Sequence, residues 1–264
     1  MTDPVVLTSV TDRVLTITLN RPEARNALNR AVMYGLWDAV TAANTDPEID
    51  AVVITGADPA FSAGVDLKEV SGAVPQSAPP RPVGEGPERM PNGLYRFVPD
   101  IDKPIIGAIN GVCVTGGLEI ALQCTILVAS DQARFGDTHA RVGIMPGGGL
   151  TVLLAQAVGW RAAVELSLTA RFVTADEALR LGLVNHVVPH AELLPYAQGL
   201  AGEIVRNDQR AVRRLLQHYK AMANVATLDQ AHLLEGVMAE TWYATLEKPG
   251  ANFEDVASRG RAQI

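Results

Sequence analysis

Acidic and histidine side chains occur together in the segment ARFGDTHARVG (133–143), which carries Asp137, His139 and Arg141 between two short apolar runs. A neutral imidazole with an ordinary pKa near 6.5 suits general acid or base chemistry at His139, and Asp137 could pair with the ring and orient it. The sequence PGGG follows at 146–149. The segment is open to three interpretations, namely an acid-base site, a metal site or a polar loop.

Two further segments place backbone N–H groups where they could stabilise negative charge. In AFSAGVDLKE, Gly64 permits a bend before a short helix that begins near Asp66, which leaves the Val65 N–H without a partner. In INGVCVTGGLEIALQC, the Gly116 N–H lies at the start of a helix. Two such donors directed at one point form an oxyanion hole, where each is worth about 2.7 to 4 kcal/mol at a transition state. Glu119 lies in the first turn of the same helix. Its carboxylate is either catalytic or simply a favourable charge near the helix dipole.

Motifs for several other chemistries are absent from the sequence. It has no GxGxxG after the first predicted strand, no GK[ST] phosphate loop, no GxSxG elbow and no CxxC pair. His186 and His190 have the spacing of metal ligands, but Pro189 keeps the two rings from lying on one helical face, so we expect no metal site. PGGG could hold an anion, although three glycines before a helix are more typical of a close-packed turn.

Strand and helix patterns alternate along the first half of the chain and must position these residues. Segments 14–19, 51–55, 105–109 and 184–188 are short and apolar, as strands are. Segment 29–43 has a helical period with Asn29 as N-cap and an apolar face formed by Val32, Leu36, Ala39, Val40 and Ala43. The pattern predicts β-α-β units with a largely parallel sheet.

The rest of the chain contains a proline-rich segment and a series of helices. Residues 71–92 hold six prolines without a hydrophobic period, which predicts a surface loop, either a linker or a lid. TADE at 174–177 is a capping box, and helical periods cover 191–206, 211–223 and 228–246. The last has an apolar stripe that should pack on the domain or on a partner subunit: Leu228, Ala231, Leu234, Met238 and Trp242. We expect a core at 1–195 and a helical C-terminal region at 196–264.

Composition narrows the class of protein. With 264 residues, of which 48% are hydrophobic, the chain can bury roughly three quarters of the surface that its unfolded form exposes, which suits one large domain or a domain with a helical extension. A net charge of −7 argues against nucleic acid as a partner. Cys113 and Cys124 lie in apolar runs and are expected to be reduced core residues. With no leader or membrane segment evident, we expect a cytoplasmic protein that does not bind membranes.

Five ordered segments resemble the crotonase superfamily, also called the enoyl-CoA hydratase/isomerase family: LNRPEARNALN (19–29), VVITGADPAFSAGVDLKE (52–69), KPIIGAINGVCVTGGLEIALQCTILVAS (103–130), ARFGDTHARVGIMPGGG (133–149) and TADEALRLGLVNHVVP (174–189). Several motifs in order are more specific than any one alone. The resemblance implies an α/β fold, the crotonase (ClpP-like) spiral of β-β-α units with two stacked sheets. It also implies a helical C-terminal region that forms homotrimers or dimers of trimers.

The resemblance further implies an acyl-CoA or enoyl-CoA thioester as ligand. The amides of Val65 and Gly116 correspond to the oxyanion hole that stabilises a thioester enolate. The adenine and phosphates of coenzyme A are expected against a group of residues that offers a local cation: Ala24, Arg25, Ala63, Asp66, Leu67 and Lys68. No metal or redox cofactor is implied, since coenzyme A belongs to the substrate.

Family hydratases add water to a trans-2-enoyl thioester with two glutamates. Glu119 matches the first, and His139 occupies the place of the second. His139 either replaces that carboxylate as acid or base, alone or oriented by Asp137, or only forms hydrogen bonds in a pocket with little turnover. We predict an enoyl-CoA hydratase of fatty-acid or other lipid metabolism. The alternatives are a silent acyl-CoA-binding homologue, a thioester hydrolase, or an isomerase, which is less favoured because single-carboxylate isomerases keep a glutamate where His139 stands.

Overall fold

Strands and helices alternate along the chain, as the sequence pattern predicted. The computed structural model describes residues 4–82, 85–87, 95–223, 225 and 227–245. The strands are β1 (Val6–Thr11), β2 (Val14–Leu19), β3 (Ala51–Gly56), β4 (Ala60–Ser62), β5 (Ile105–Ile109), β6 (Val112–Val114), β7 (Ile126–Ser130), β8 (Arg134–Gly136), β9 (Val173–Thr174) and β10 (His186–Val188). The helices are α1 (Arg30–Thr45), α2 (Leu67–Val70), α3 (Gly116–Leu122), α4 (His139–Val142), α5 (Leu150–Val158), α6 (Trp160–Thr169), α7 (Ala175–Leu181), α8 (Leu193–Val205), α9 (Gln209–Met222) and α10 (Leu228–Tyr243).

The strands are distributed over two sheets. In the described part of the chain, one sheet has six strands in the order β1-β2-β3-β5-β7-β10 and the other has four in the order β4-β6-β8-β9. All neighbours are parallel except β1 with β2 and β8 with β9. The units β3-β4-α2, β5-β6-α3 and β7-β8-α4 each place one strand in each sheet and end in a short helix. This arrangement confirms the predicted α/β fold of β-β-α units.

The parallel strands are buried on both faces, as their continuous apolar sequences predicted. Val52 and Ile54 of β3 face one apolar cluster and Val53 faces another, because successive side chains of a strand point to opposite faces. The larger cluster also contains Phe61 of β4 and Phe135 of β8, so it joins the two sheets. The smaller one is covered by α8 through its buried residues Leu193, Ala197 and Ala201.

Most predicted elements occur close to their predicted bounds. The Asn29 side chain accepts a hydrogen bond from the Val32 N–H at 2.9 Å and so caps α1 as expected. The Thr174 hydroxyl caps α7 in the same way. Strand β10 begins two residues later than predicted, at His186. The reason is that the Asn185 side chain accepts from the Leu127 N–H at 2.9 Å, which replaces a backbone pairing at this position.

The proline-rich segment has no helix or strand in its described part, 71–82 and 85–87, as predicted. It is attached to α1 through Arg81. The Arg81 guanidinium pairs with both carboxylate oxygens of Asp38, at 2.5 and 2.8 Å, and its Cζ lies 4.4 Å from the centre of the Tyr34 ring. The remaining residues of the predicted loop lie outside the described residues.

The chain divides into two compact units, Met1–Arg213 and Arg214–Ile264, so the division lies C-terminal to the boundary expected at 195. Helix α9 crosses the division. Helix α10 begins at Leu228, as predicted, and the Thr227 hydroxyl caps it. The described residues of α9 and α10 include no buried side chain. No helix in the described ranges combines the length and the apolar character needed to cross a bilayer.

Candidate active site

The Val65 amide lies in a short parallel pairing between two loop segments. The Leu28 N–H donates to the Gly64 carbonyl at 2.8 Å, and the Asp66 N–H donates to the Leu28 carbonyl at 3.1 Å. In such a pairing the residue between the two bonded groups directs its own N–H to the opposite side. Among the described residues, none accepts a hydrogen bond from the Val65 N–H. This donor is therefore available to a ligand.

The Gly116 amide begins α3 and lies beside Val65. A Cβ placed on Gly116 would lie 3.4 Å from the Val65 nitrogen, and one placed on Gly64 would lie 3.3 Å from the Gly116 nitrogen. Thr115, with φ 52° and ψ −117°, turns the chain between β6 and α3. Within the described ranges nothing accepts from the Gly116 N–H, as expected for the first amide of a helix. The two unpaired donors sit side by side, and glycine at 64 and 116 keeps the space around them open.

Glu119 follows Gly116 by one helical turn, so its side chain lies on the same face of α3. The residue is buried, with 2% of its surface exposed. Its Oε1 accepts from the Gly148 N–H at 2.6 Å, just before α5 begins. Burial raises the pKa of Glu119 above its ordinary value, and the hydrogen bond from Gly148 and the charge of His139 oppose this shift without cancelling it. A carboxylate with a raised pKa is a stronger base.

Asp137 and His139 form a buried hydrogen-bonded pair. His139 Nδ1 lies 2.6 Å from Asp137 Oδ1, and the His139 backbone N–H donates to the same oxygen at 3.1 Å. Because an ionised carboxylate only accepts, Nδ1 carries the proton in this contact and Nε2 remains available to another group. Burial acts to raise the pKa of Asp137, but hydrogen bonds from His139 and Ser167 together outweigh it and hold the pKa below its usual range. Asp137 is therefore a carboxylate that orients the ring.

Contacts connect the segments that carry the acid-base groups with the segment that carries the Gly116 amide. His139 and Asp137 both contribute to the electrostatic environment of Glu119. The hydroxyls of Thr115 and Thr138 are hydrogen-bonded, which links the chain entering α3 to the segment that carries the Asp137–His139 pair. Two hydrogen-bond donors thus lie near a base with a raised pKa and an oriented imidazole. Such a set can stabilise an enolate and move protons to and from its carbon atoms.

Aromatic side chains line the same site. Tyr95 and Phe97 pack edge to face with ring centres 5.0 Å apart, and the Tyr95 N–H donates to the Gly147 carbonyl at 2.6 Å. A Cβ placed on Gly148 would lie 2.6 Å from Phe97 and 2.7 Å from Cδ of Glu119. The Phe97 ring therefore borders the Glu119 carboxyl group, and a ligand there meets both an apolar wall and a base.

The residues predicted to hold coenzyme A lie on two adjoining segments and are exposed or half-buried: Ala24, Arg25, Ala63, Asp66, Leu67 and Lys68. The Ala63 N–H donates to the Arg25 carbonyl at 2.9 Å, which joins the two segments. Arg25 and Lys68 present exposed cationic side chains. The Asp66 carboxylate is engaged within the protein, because it caps α2 and pairs with Arg21 at 3.0 Å.

Three residues that organise the site were not identified from the sequence, namely Arg21, Asn26 and Gly148. Arg21 and Asn26 lie in the quoted motif LNRPEARNALN, but their partners are distant in sequence. Arg21 pairs with Asp66, Asn26 donates to the carbonyls of Ala57 and Ala60, and the Gly148 N–H donates to Glu119. Only the glycine-rich PGGG gave a local signal, and it did not reveal the partner.

The two histidines with metal-ligand spacing have separate roles. His186 packs on Tyr196, with ring centres 5.3 Å apart. His190 lies between Ser130 and Asp58, at 3.0 and 3.2 Å, beside a pocket of about 270 Å³. In the part of the chain that the structure describes, no three His, Cys, Asp or Glu side chains converge as metal ligands would.

Comparison with known proteins shows the family to which the chain belongs. The family model described as enoyl-CoA hydratase/isomerase matches residues 9–252. A probable peroxisomal enoyl-CoA hydratase 1 of Arabidopsis thaliana is 39% identical, with 89% of this chain and 85% of that protein covered. Crotonyl-CoA hydratase of Syntrophomonas wolfei is 36% identical over 92% and 95% of the two chains. The crystal structure of an enoyl-CoA hydratase from Mycobacterium avium has 45% identity and a TM-score of 0.72, over 91% of this chain and 95% of that one. The chain therefore belongs to the enoyl-CoA hydratase/isomerase family, the crotonase superfamily that its motifs resemble.

Proposed function

We propose that the protein is an enoyl-CoA hydratase that adds water to trans-2-enoyl-CoA in fatty-acid or other lipid metabolism. One observation carries the proposal: the unpaired Val65 and Gly116 amides lie side by side, and Glu119, whose environment includes the Asp137–His139 pair, follows Gly116 by one helical turn. The hydratases among its relatives support the same reaction.

The reaction proceeds through an enolate. The Glu119 carboxylate accepts a proton from water as the water oxygen adds to the β-carbon of the substrate. The electrons move onto the thioester oxygen, which accepts hydrogen bonds from the Val65 and Gly116 amides. Protonated His139, balanced by the Asp137 carboxylate, donates its proton to the α-carbon. A proton then passes from Glu119 to His139, directly or through water, and restores both groups.

Coenzyme A enters only as part of the substrate, and the reaction needs no other cofactor. Exposed Arg25 and Lys68 would meet its phosphates at the surface next to the Val65 amide. The apolar wall of Tyr95 and Phe97 would receive the acyl group. We also propose a cytoplasmic location, supported by the free thiols of Cys113 and Cys124.

Loss of the conjugated enoyl thioester absorbance, followed with crotonyl-CoA and longer substrates, tests the reaction. Wild-type protein should turn over, and Glu119→Gln should lower kcat by about 10² to 10⁴ because it removes the base. His139→Ala should lower kcat by a similar factor, and Asp137→Asn by about tenfold, because the ring loses only its orienting charge. Glu165→Gln and His186→Ala, outside the site, are matched controls.

The alternatives predict other results. A silent acyl-CoA binder retains affinity without turnover on any chain length. A thioester hydrolase releases free thiol, and an isomerase yields the 3-enoyl thioester in place of the hydrated product. If His139→Ala is as active as wild type, hydration stands and the role of His139 fails.

A further inference from the structure

Asn26 is a fully buried polar residue that the reaction steps above do not use. Its side-chain nitrogen donates to the carbonyl oxygens of Ala57, at 2.7 Å, and Ala60, at 2.6 Å. Its Oδ1 accepts from the Arg21 N–H at 2.8 Å. Because carbonyl oxygens only accept hydrogen bonds, these partners fix the orientation of the amide. The Asn26 side chain thus links the turn that contains it to the segment from Ala57 to Ala60, where β4 begins.

A second route runs from the Asn26 backbone toward Val65. The Ser62 hydroxyl donates to the Asn26 carbonyl at 2.8 Å and accepts from the Gly64 N–H at 3.2 Å. Asn26 therefore holds the segment before Val65 from two sides, through Ala60 at the start of β4 and through Ser62 at its end.

The backbone conformation at this turn also depends on Asn26. Its φ is 53°, in the left-handed region, which asparagine tolerates better than most residues. This turn places Leu28 beside the segment from Gly64 to Asp66. The parallel pairing there directs the Val65 N–H away from Leu28. Gly56 leaves room for the contact, since a Cβ there would lie 2.7 Å from the Asn26 side-chain nitrogen.

We propose that Asn26 is a positioning residue for the oxyanion hole: it sets the direction of the Val65 N–H without touching the substrate. The inference rests on the proposed function insofar as Val65 and Gly116 bind a thioester oxygen. It predicts that a change at Asn26 weakens transition-state stabilisation more than it weakens substrate binding, because a misplacement near 1 Å costs on the order of 10² in rate.

Asn26→Gly and Asn26→Asp test the proposal. Glycine permits the positive φ but removes all three side-chain bonds, whereas aspartate keeps the acceptor for Arg21 and turns a carboxylate toward two carbonyl oxygens. Both should lower kcat for crotonyl-CoA by about 10- to 100-fold with little change in KM. They should also reduce the red shift that a bound cinnamoyl thioester of coenzyme A undergoes when its carbonyl oxygen accepts hydrogen bonds. Asn29→Ala is the matched control, since it removes a buried asparagine that only caps α1 and should lower the melting temperature without altering the red shift.

The outcomes separate this inference from the proposed function. A full red shift in folded Asn26 variants overturns the inference even if wild type is an active hydratase. A red shift in wild type that the Asn26 variants lose supports the inference even if no turnover occurs. Absence of the shift in wild type overturns both the amide assignment and the inference. If neither Asn26 variant folds, Ser62→Ala decides: a partial loss of the shift supports the proposal and a full shift overturns it.

Discussion

A histidine at position 139 needs a partner that a carboxylate at the same place would not need. An imidazole must have one nitrogen fixed by a hydrogen bond before the other can face the reacting atoms in a defined protonation state. Asp137 provides this contact at 2.6 Å, and both side chains are buried. Position 137 therefore acts together with position 139, and a variant that restores glutamate at 139 would leave Asp137 as a second buried carboxylate beside it.

The pH dependence of the rate should report the ionisation of Glu119. Burial raises the pKa of this carboxyl group, and the base must be ionised to accept a proton from water. The rate constant kcat should therefore fall about tenfold per pH unit below the raised pKa. The midpoint should lie above the value of an ordinary glutamate, about 4.3. Measurement of kcat at saturating crotonyl-CoA over roughly pH 4 to 9 tests this fall at low pH. If the residual rate of Glu119→Gln falls in the same way, the ionisation belongs to another group.

The loop between α4 and α5 positions Glu119 by bringing backbone close to it. Gly148 donates to the carboxylate, and an added methyl group there would meet both Phe97 and Glu119 at less than ordinary contact distance. At Gly147 an added methyl group would meet nothing within 4 Å. Alanine substitutions at the two neighbouring glycines can therefore be compared as test and control.

Gly148→Ala should lower kcat by about 10- to 100-fold, because the carboxylate is displaced from its place beside the amide pair. Overpacking should also destabilise the fold by about 1 to 3 kcal/mol. Gly147→Ala should remain close to wild type in both respects. Steady-state kinetics and urea denaturation measure the two effects, and equal activity in the two variants would show that the loop does not set the position of Glu119.

The sequence predicted the elements whose signal is local. Helix α1 was predicted from its apolar stripe and its Asn29 cap, and β5 from an apolar run between a proline and a glycine. Strands such as β4 and β6 are three residues long, too short for a period to be recognised, and are fixed by pairing with each other. The pairing of Asp137 with His139 is suggested by their closeness in sequence, whereas the bonds of Asn26 to Ala57 and Ala60 join residues more than thirty positions apart and leave no local pattern.

The buried residues in the described ranges of the chain fall within the first of its two units. In the described part of the chain, the buried hydrophobic residues run from Val14 to Ala201. Arg213, the last residue of that unit, pairs at 3.2 Å with buried Asp50, which also binds Arg13. In α10, by contrast, large apolar side chains are exposed, among them Leu228 and Leu233 at 71% each. The first unit therefore has a complete core, and we propose that the exposed apolar side chains of α10 are used between subunits of a homotrimer or dimer of trimers.

Removing residues 214–264 should leave a folded monomer. The shortened chain keeps the core and the Arg213–Asp50 pair, so its circular dichroism should show cooperative melting, whereas sedimentation should give the mass of one chain. The full chain should sediment at three or six times the mass of one full-length chain. In the full chain, Leu228→Glu with Leu233→Glu should promote dissociation because two carboxylates would be buried between subunits, and the exposed Glu235→Gln should not. A shortened chain that still sediments as a trimer would place the subunit contacts in the first unit and remove α10 from that role.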